Sequence, residues 1–146
     1  MFFGKARQRL KRVLIVEDEP LLAFDNEHAL TLGGFDVVAT VDRMRDAEAV
    51  IESEGGVDLL IADIRLRGVR SGIDLAAHAR ARDIAVLFVT GSCPTEAQIG
   101  GIALGWLAKP FAPRDLVRSA NICDRVIRGL SPGRLPPGLT LFPFGA

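Results

Sequence analysis

A chain of 146 residues, 49% hydrophobic and 25% charged, has the composition of a globular domain and room for one folded unit with a core that needs no staples. Eighteen Lys and Arg balance eighteen Asp and Glu, which argues against a general electrostatic hold on nucleic acid or anionic lipid. The longest unbroken apolar stretch is about six residues, at 84–89, against the roughly 20 of a membrane span, and the amino terminus lacks the apolar core of a secretory leader. A cytoplasmic protein with no membrane insertion is expected.

Residues 1–11 form a basic arm in which Lys5, Arg7, Arg9 and Lys11, with Arg12 at its border, read as a solvated segment or as a contact for an acidic partner. From 12 to 130, short apolar runs alternate with longer amphipathic stretches, the pattern of βαβ units. The first strand is read at 13–16, and the helix after it opens at Pro20, suited to a first helical turn, and stops at Gly33-Gly34. A strand at 35–39, a helix at 43–54, a strand at 57–62, a helix at 71–82 and a strand at 84–89 follow. Only eighteen residues separate Thr90 from Lys109, so a fourth helix carrying Gly100 and Gly101 should be short or irregular before a fifth strand at 104–108. The last helix has Pro113 near its start and Leu116, Ala120, Cys123, Ile127 and Leu130 on one face.

Pro132, Pro136, Pro137 and Pro143 exclude a helix from the tail at 131–146, which is expected to be extended or disordered. Leu135, Leu139, Leu141, Phe142 and Phe144 nevertheless give it apolar surface that could dock on the domain or on a partner. Cys93 and Cys123 stand in neither a zinc nor a redox spacing and read as buried or incidental thiols. His28 and His78, without carboxylates at ligand spacing, are assigned no chemistry.

Continuous apolar strands suit a parallel sheet covered on both faces, hence an α/β fold: a three-layer (βα)5 doubly wound sheet of five strands. In such a sheet the carboxyl ends of the strands share one edge, where ligands bind. Glu17-Asp18-Glu19 follow the first strand, Asp63 the third, Thr90 the fourth and Lys109-Pro110 the fifth, while Thr40-Val41 after the second offer nothing obvious. A strand order of 2-1-3-4-5 makes the four informative strands contiguous.

Glu17, Asp18 and Asp63 would then crowd together, at about 4 kcal/mol per like-charge pair 4 Å apart at an effective dielectric near 20. Lys109 offsets part of this, and Mg²⁺, which takes oxygen ligands from one or two carboxylates plus water and phosphate, suits the remainder. No His-Cys cluster suggests zinc. A carboxylate beside a cation, a lysine and a threonine hydroxyl can accept a phosphoryl group, and Asp63 is the candidate nucleophile.

The segments Val13-Leu14-Ile15-Val16-Glu17-Asp18-Glu19-Pro20, Leu60-Ile61-Ala62-Asp63, Phe88-Val89-Thr90-Gly91 and Leu107-Ala108-Lys109-Pro110-Phe111 resemble the receiver domain of two-component response regulators, over about 12–130. The resemblance implies a flavodoxin-like, chemotaxis-type fold and a Mg²⁺ site on Glu17, Asp18, Asp63 and the backbone carbonyl of Arg65. It implies phosphorylation of Asp63 by a sensor histidine kinase or histidine phosphotransfer protein. Lys109 and Thr90 would couple the phosphoryl group to the surface around the fourth and fifth strands, with Pro110 in support and Trp106 in the place of the family's aromatic switch. Arg67 stands where the family commonly has Pro, and Arg65 occupies a position that influences phosphoryl lifetime. The gap from Thr90 to Lys109 is shorter than is usual, and Phe-x-Thr-Gly resembles an atypical subgroup known from alphaproteobacterial stress signalling.

With seventeen residues after Gly129, the expected protein is a single-domain regulator signalling through a downstream protein partner, not DNA, with a homodimer left open. A phosphate shuttle or sink is one alternative, and an unphosphorylated pseudo-receiver is another. An aspartyl phosphatase of the haloacid type would need a second Asp where Arg65 stands.

Overall fold

The computed structural model of the protein describes residues 8–53, 55–66, 71–95 and 99–143, and for Ser71 its backbone alone. Lys5 and Arg7 of the arm, Arg67 and Gly68 in the loop after Asp63, and Phe144 of the tail lie outside the described residues. The elements are β1 (Arg12–Val16), α1 (Pro20–Leu32), β2 (Asp36–Val41), α2 (Met44–Glu52), β3 (Leu59–Asp63), α3 (Ser71–Arg80), β4 (Ala85–Thr90), β5 (Gly105–Ala108), α4 (Pro113–Ile127) and β6 (Leu139–Leu141).

The sheet has the order β2-β1-β3-β4-β5-β6, with the first five strands parallel and β6 antiparallel to β5. Because side chains alternate across a strand, the apolar runs feed two layers at once. Val13, Ile15, Leu59, Ile61 and Leu87 meet Leu30, Leu116, Ala120 and Cys123 of α1 and α4. Leu14, Val16, Leu60, Ala62, Val86 and Phe88 meet Ala47, Ile51, Leu75, Ala76 and Ala79 of α2 and α3. The doubly wound flavodoxin-like fold and the order of the first five strands are as the sequence predicts.

Several local expectations are corrected. Among the described residues the sheet has six strands, not five, because the tail takes one of the courses left open for it and docks on the domain, along the outer edge of β5. The arm is pinned from Arg9 onward: the Arg9 and Leu10 amides donate to Asp124 Oδ1 at 2.7 and 2.9 Å, and Leu10 is buried. β3 begins two residues later than read, because the chain at Asp58 is still turning, with Asp58 Oδ2 accepting from the Lys11 and Arg12 amides at 3.0 and 2.8 Å. Cys93 is exposed and only Cys123 is buried. His78 does have a carboxylate neighbour, its Nε2 lying 2.9 Å from Glu52 Oε1, while Arg82 holds Glu52 Oε2 at 2.7 Å.

Between β4 and β5, the Ile99 amide bonds the Thr95 carbonyl and the Ala103 amide the Ile99 carbonyl, a helical turn that Gly101 leaves at φ 83°. The rest of the expected fourth helix falls on residues 96–98, outside the described residues. α1 departs from simple amphipathicity: it buries Asn26 and Leu30 but exposes Leu21, Phe24 and Leu32.

Candidate functional site

Parallel pairing of β1 with β3, β3 with β4 and β4 with β5 brings the carboxyl ends of these strands to one edge. Glu17 and Asp18 leave β1 just before α1 begins at Pro20, and the Glu17 amide is fixed on the Val41 carbonyl at 3.0 Å. Asp63 is the last residue of β3, Thr90 the last of β4, and Lys109 directly follows β5.

Glu17, Asp18 and Asp63 each offer a carboxylate oxygen, all within 4.8 Å of one another. Lys109 Nζ lies 2.7 Å from Asp63 Oδ2 and 2.8 Å from Glu17 Oε1. The Arg65 amide donates to Asp63 Oδ1 at 3.0 Å, and the Glu19 amide to Glu17 Oε2 at 3.1 Å. Thr90 is buried, its Oγ1 accepting from the Ser92 amide at 3.1 Å and its carbonyl from the Lys109 amide at 2.9 Å. The Lys109-Pro110 bond is cis. Trp106 does not join this group: it is half-buried on β5, opposite Phe88 and Thr140, against the apolar layer of α2 and α3.

Burial pushes the Glu17 carboxyl above its ordinary 4.5, against the opposing pull of the Lys109 ammonium and the Glu19 amide. Burial alone would lower Lys109, but its bonds to Asp63 and Glu17 outweigh that and hold the ammonium above 10.5. Among the described residues the group thus gathers three carboxylates, two of them joined through Lys109. Glu17 Oε1 is buried, with the Lys109 ammonium 2.8 Å away as its partner. An all-oxygen donor set of three clustered carboxylates fits a hard divalent cation such as Mg²⁺.

Two contributors are not apparent from strand ends alone. The end of β2 is not silent: Thr40, Val41, Asp42 and Asp46 line, with Glu17 and Asp18, a depression of about 270 Å³ beside the acidic group. Gly72 lets the start of α3 lie against the end of β3, where a Cβ would come 2.1 Å from the Asp63 carbonyl; the Ser71-Gly72 pair opening a helix was the available signal.

The family model described as the response regulator receiver domain matches residues 13–121. The aerobic respiration control protein ArcA of Escherichia coli (strain K12) is 32% identical over 120 residues, 79% of this chain and 49% of that protein. The structure of a CheY-like response regulator receiver domain protein from Methanospirillum hungatei JF-1 is 27% identical at a TM-score of 0.70, covering 82% of this chain and 98% of that one. The response regulator PhyR from Brucella abortus is 31% identical at a TM-score of 0.68, covering 84% and 51%. The chain spans about half the length of the curated relatives it matches, from 46% to 56%. Among the described residues no helix is long and apolar enough to cross a membrane.

Proposed function

The chain belongs to the response regulator receiver domain family, and from that membership we propose that Asp63 accepts a phosphoryl group from a phosphohistidine of a sensor histidine kinase or histidine phosphotransfer protein. The observation that carries this reading is the convergence on Asp63 of Lys109, 2.7 Å away, and of the Glu17 and Asp18 carboxylates. A carboxylate oxygen of Asp63 forms the new bond to phosphorus as the P–N bond of the donor breaks, its electron pair staying on the imidazole nitrogen. Catalysis of such a transfer is mostly positioning and charge neutralisation.

Glu17, Asp18, Asp63 and the backbone carbonyl of Arg65 would hold Mg²⁺, which would neutralise charge on the phosphoryl oxygens. Lys109 moves its ammonium from the Asp63 carboxylate to a phosphoryl oxygen, with Pro110 fixing the turn behind it. The Thr90 hydroxyl, whose oxygen accepts from the Ser92 amide, donates its proton to another phosphoryl oxygen. Displacement of Thr90 toward the phosphoryl group reaches Trp106 across the β4–β5 pair, and the altered surface is read by a protein partner in the cytoplasm. Exposed Leu21 and Phe24, in the first turns of α1 just past Glu17-Asp18, offer the donor an apolar foothold beside the site.

Incubation with acetyl phosphate and Mg²⁺ tests this directly. The expected result is one hydroxylamine-sensitive adduct per chain, not formed when Mg²⁺ is chelated beforehand and absent from Asp63→Asn. An unmodified parent chain, or an adduct that persists in Asp63→Asn, would overturn the assignment.

A further inference from the structure

After α4 the chain does not leave the domain. Arg125 Nε holds the Ser131 carbonyl at 2.7 Å and Arg118 Nη2 the Arg134 carbonyl at 3.4 Å, so the segment climbs back along the outer face of α4. It then pairs with β5, Leu139 opposite Leu107 and Leu141 opposite Gly105, with the Ala108 amide donating to the Gly138 carbonyl at 3.0 Å and the Phe142 amide to the Leu104 carbonyl at 2.9 Å. Leu139 joins the core layer of α1 and α4, and Phe142 reaches the opposite layer. The result is a strap over the α4–β5 face.

Two features make this strap more than an ornament of the edge. It ends one residue from the site: Ala108 bonds Gly138, and the next residue, Lys109, bonds Thr90 through its amide and Asp63 and Glu17 through its ammonium. It also depends on one glycine. A Cβ on Gly105 would lie 2.3 Å from the Thr140 carbonyl oxygen, and its next nearest neighbours, at 3.1 and 3.2 Å, are atoms of Leu141. All three belong to the strap, so a side chain at 105 acts against the strap before anything else.

Resting on the phosphorylation of Asp63 proposed above, we propose that residues 131–142 are a self-docked strap that phosphorylation releases, uncovering the α4–β5 face. In the unmodified chain Lys109 is tied between two carboxylates, which fixes the end of β5 where Gly138 binds it. A phosphoryl group carries the negative charge outward from Asp63. The ammonium follows that charge, and the Ala108–Lys109 backbone turns away from Gly138. A strand with three paired residues at a sheet edge opens at a fraction of the cost of global unfolding, so a shift at its end suffices. Coupling is reciprocal, so loosening the strap favours the phosphorylated chain by the same factor.

The test is hydrogen exchange on the full chain in Mg²⁺, before and after acetyl phosphate, with the phosphorylated fraction read by intact mass in the same sample. Exchange in peptides covering 134–143 should rise about tenfold in the phosphorylated chain, within the usual range for coupled sites. Gly105→Ala should show the raised exchange without phosphate and accumulate more adduct at the same donor concentration; the wild-type comparison stands alone if that variant folds poorly. An adduct with unchanged or slower tail exchange would overturn the strap while leaving the proposed function standing. A chain that takes no phosphoryl group overturns the proposed function and, with it, this coupling.

Discussion

At the amino-terminal end of the sheet, Asp124 accepts from the Arg9 and Leu10 amides and from Arg128 Nη1 at 3.0 Å, and Asp58 accepts from the Lys11 and Arg12 amides. At the carboxyl end, Glu17, Asp18 and Asp63 converge on one another, with a single ammonium between two of them. Both ends place carboxylates in partly or fully dry surroundings and lend them backbone amides, but only at the second do three carboxylates also face one another. A buried acid that stands alone among its donors fastens the fold, and acids that face one another create a demand for further positive charge. The same sheet therefore has a structural end and a chemical end, and substitutions should separate them.

The largest separation concerns the thiols. Cys123, at the structural end, has its thiol pushed up to about 12 from 9.0 by burial and by the neighbouring Asp124 carboxylate. At a given pH its thiolate is about a thousandfold scarcer than that of an ordinary thiol. Iodoacetamide at mildly alkaline pH should therefore modify exposed Cys93 and leave Cys123 untouched until the chain unfolds, as peptide mapping would read. Labelling of Cys123 in the folded chain would mean that this end opens readily and would erase the contrast.

Next comes Asp124→Ala, which leaves two amides and Arg128 without their acceptor in a buried place. An expected loss of about 3 kcal/mol in urea unfolding follows from stranded buried donors, with Asp124→Asn recovering much of it because an amide oxygen still accepts. Phosphoryl uptake by the folded fraction should be unchanged. A loss of uptake at full folding would show that the two ends are not independent.

This division explains what could be read from the sequence. The strands were legible because β1, β3 and β4 are buried on both faces and so apolar without interruption, and each site carboxylate was legible because it directly follows such a run. β6 was not: three residues among prolines carry no period, and the edge of β5 that they cover has no signature in composition. Nor was the fastening of the arm, since Asp124 binds backbone amides, which every residue but Pro has, and Arg9 Nη1 meets a backbone carbonyl, that of Ile127, at 3.2 Å. The Glu52–His78 pair, twenty-six positions apart, joins two helices whose mutual rotation only the packed core sets. At the site itself, the Arg65 amide on Asp63 and the close approach at Gly72 are backbone events, invisible to a reading of side chains.

The smallest expected effect has the opposite sign at the chemical end. Because burial holds the folded carboxyl of Glu17 above 4.5, the folded chain binds that proton more tightly than the unfolded chain does. Its contribution to stability is complete below the unfolded value and is lost as pH rises through the raised folded value. Above that window the ionised side chain is a liability that Glu17→Gln removes. In Mg²⁺-free buffer this variant should unfold at a urea concentration equal to or higher than the parent, an advantage that disappears in acid. Saturating Mg²⁺ should reverse the ranking, since the cation stabilises the parent by mass action and has lost one of its ligands in the variant. If Glu17→Gln were destabilising to the degree expected of Asp124→Ala, with or without Mg²⁺, the acids at the two ends would be doing the same job.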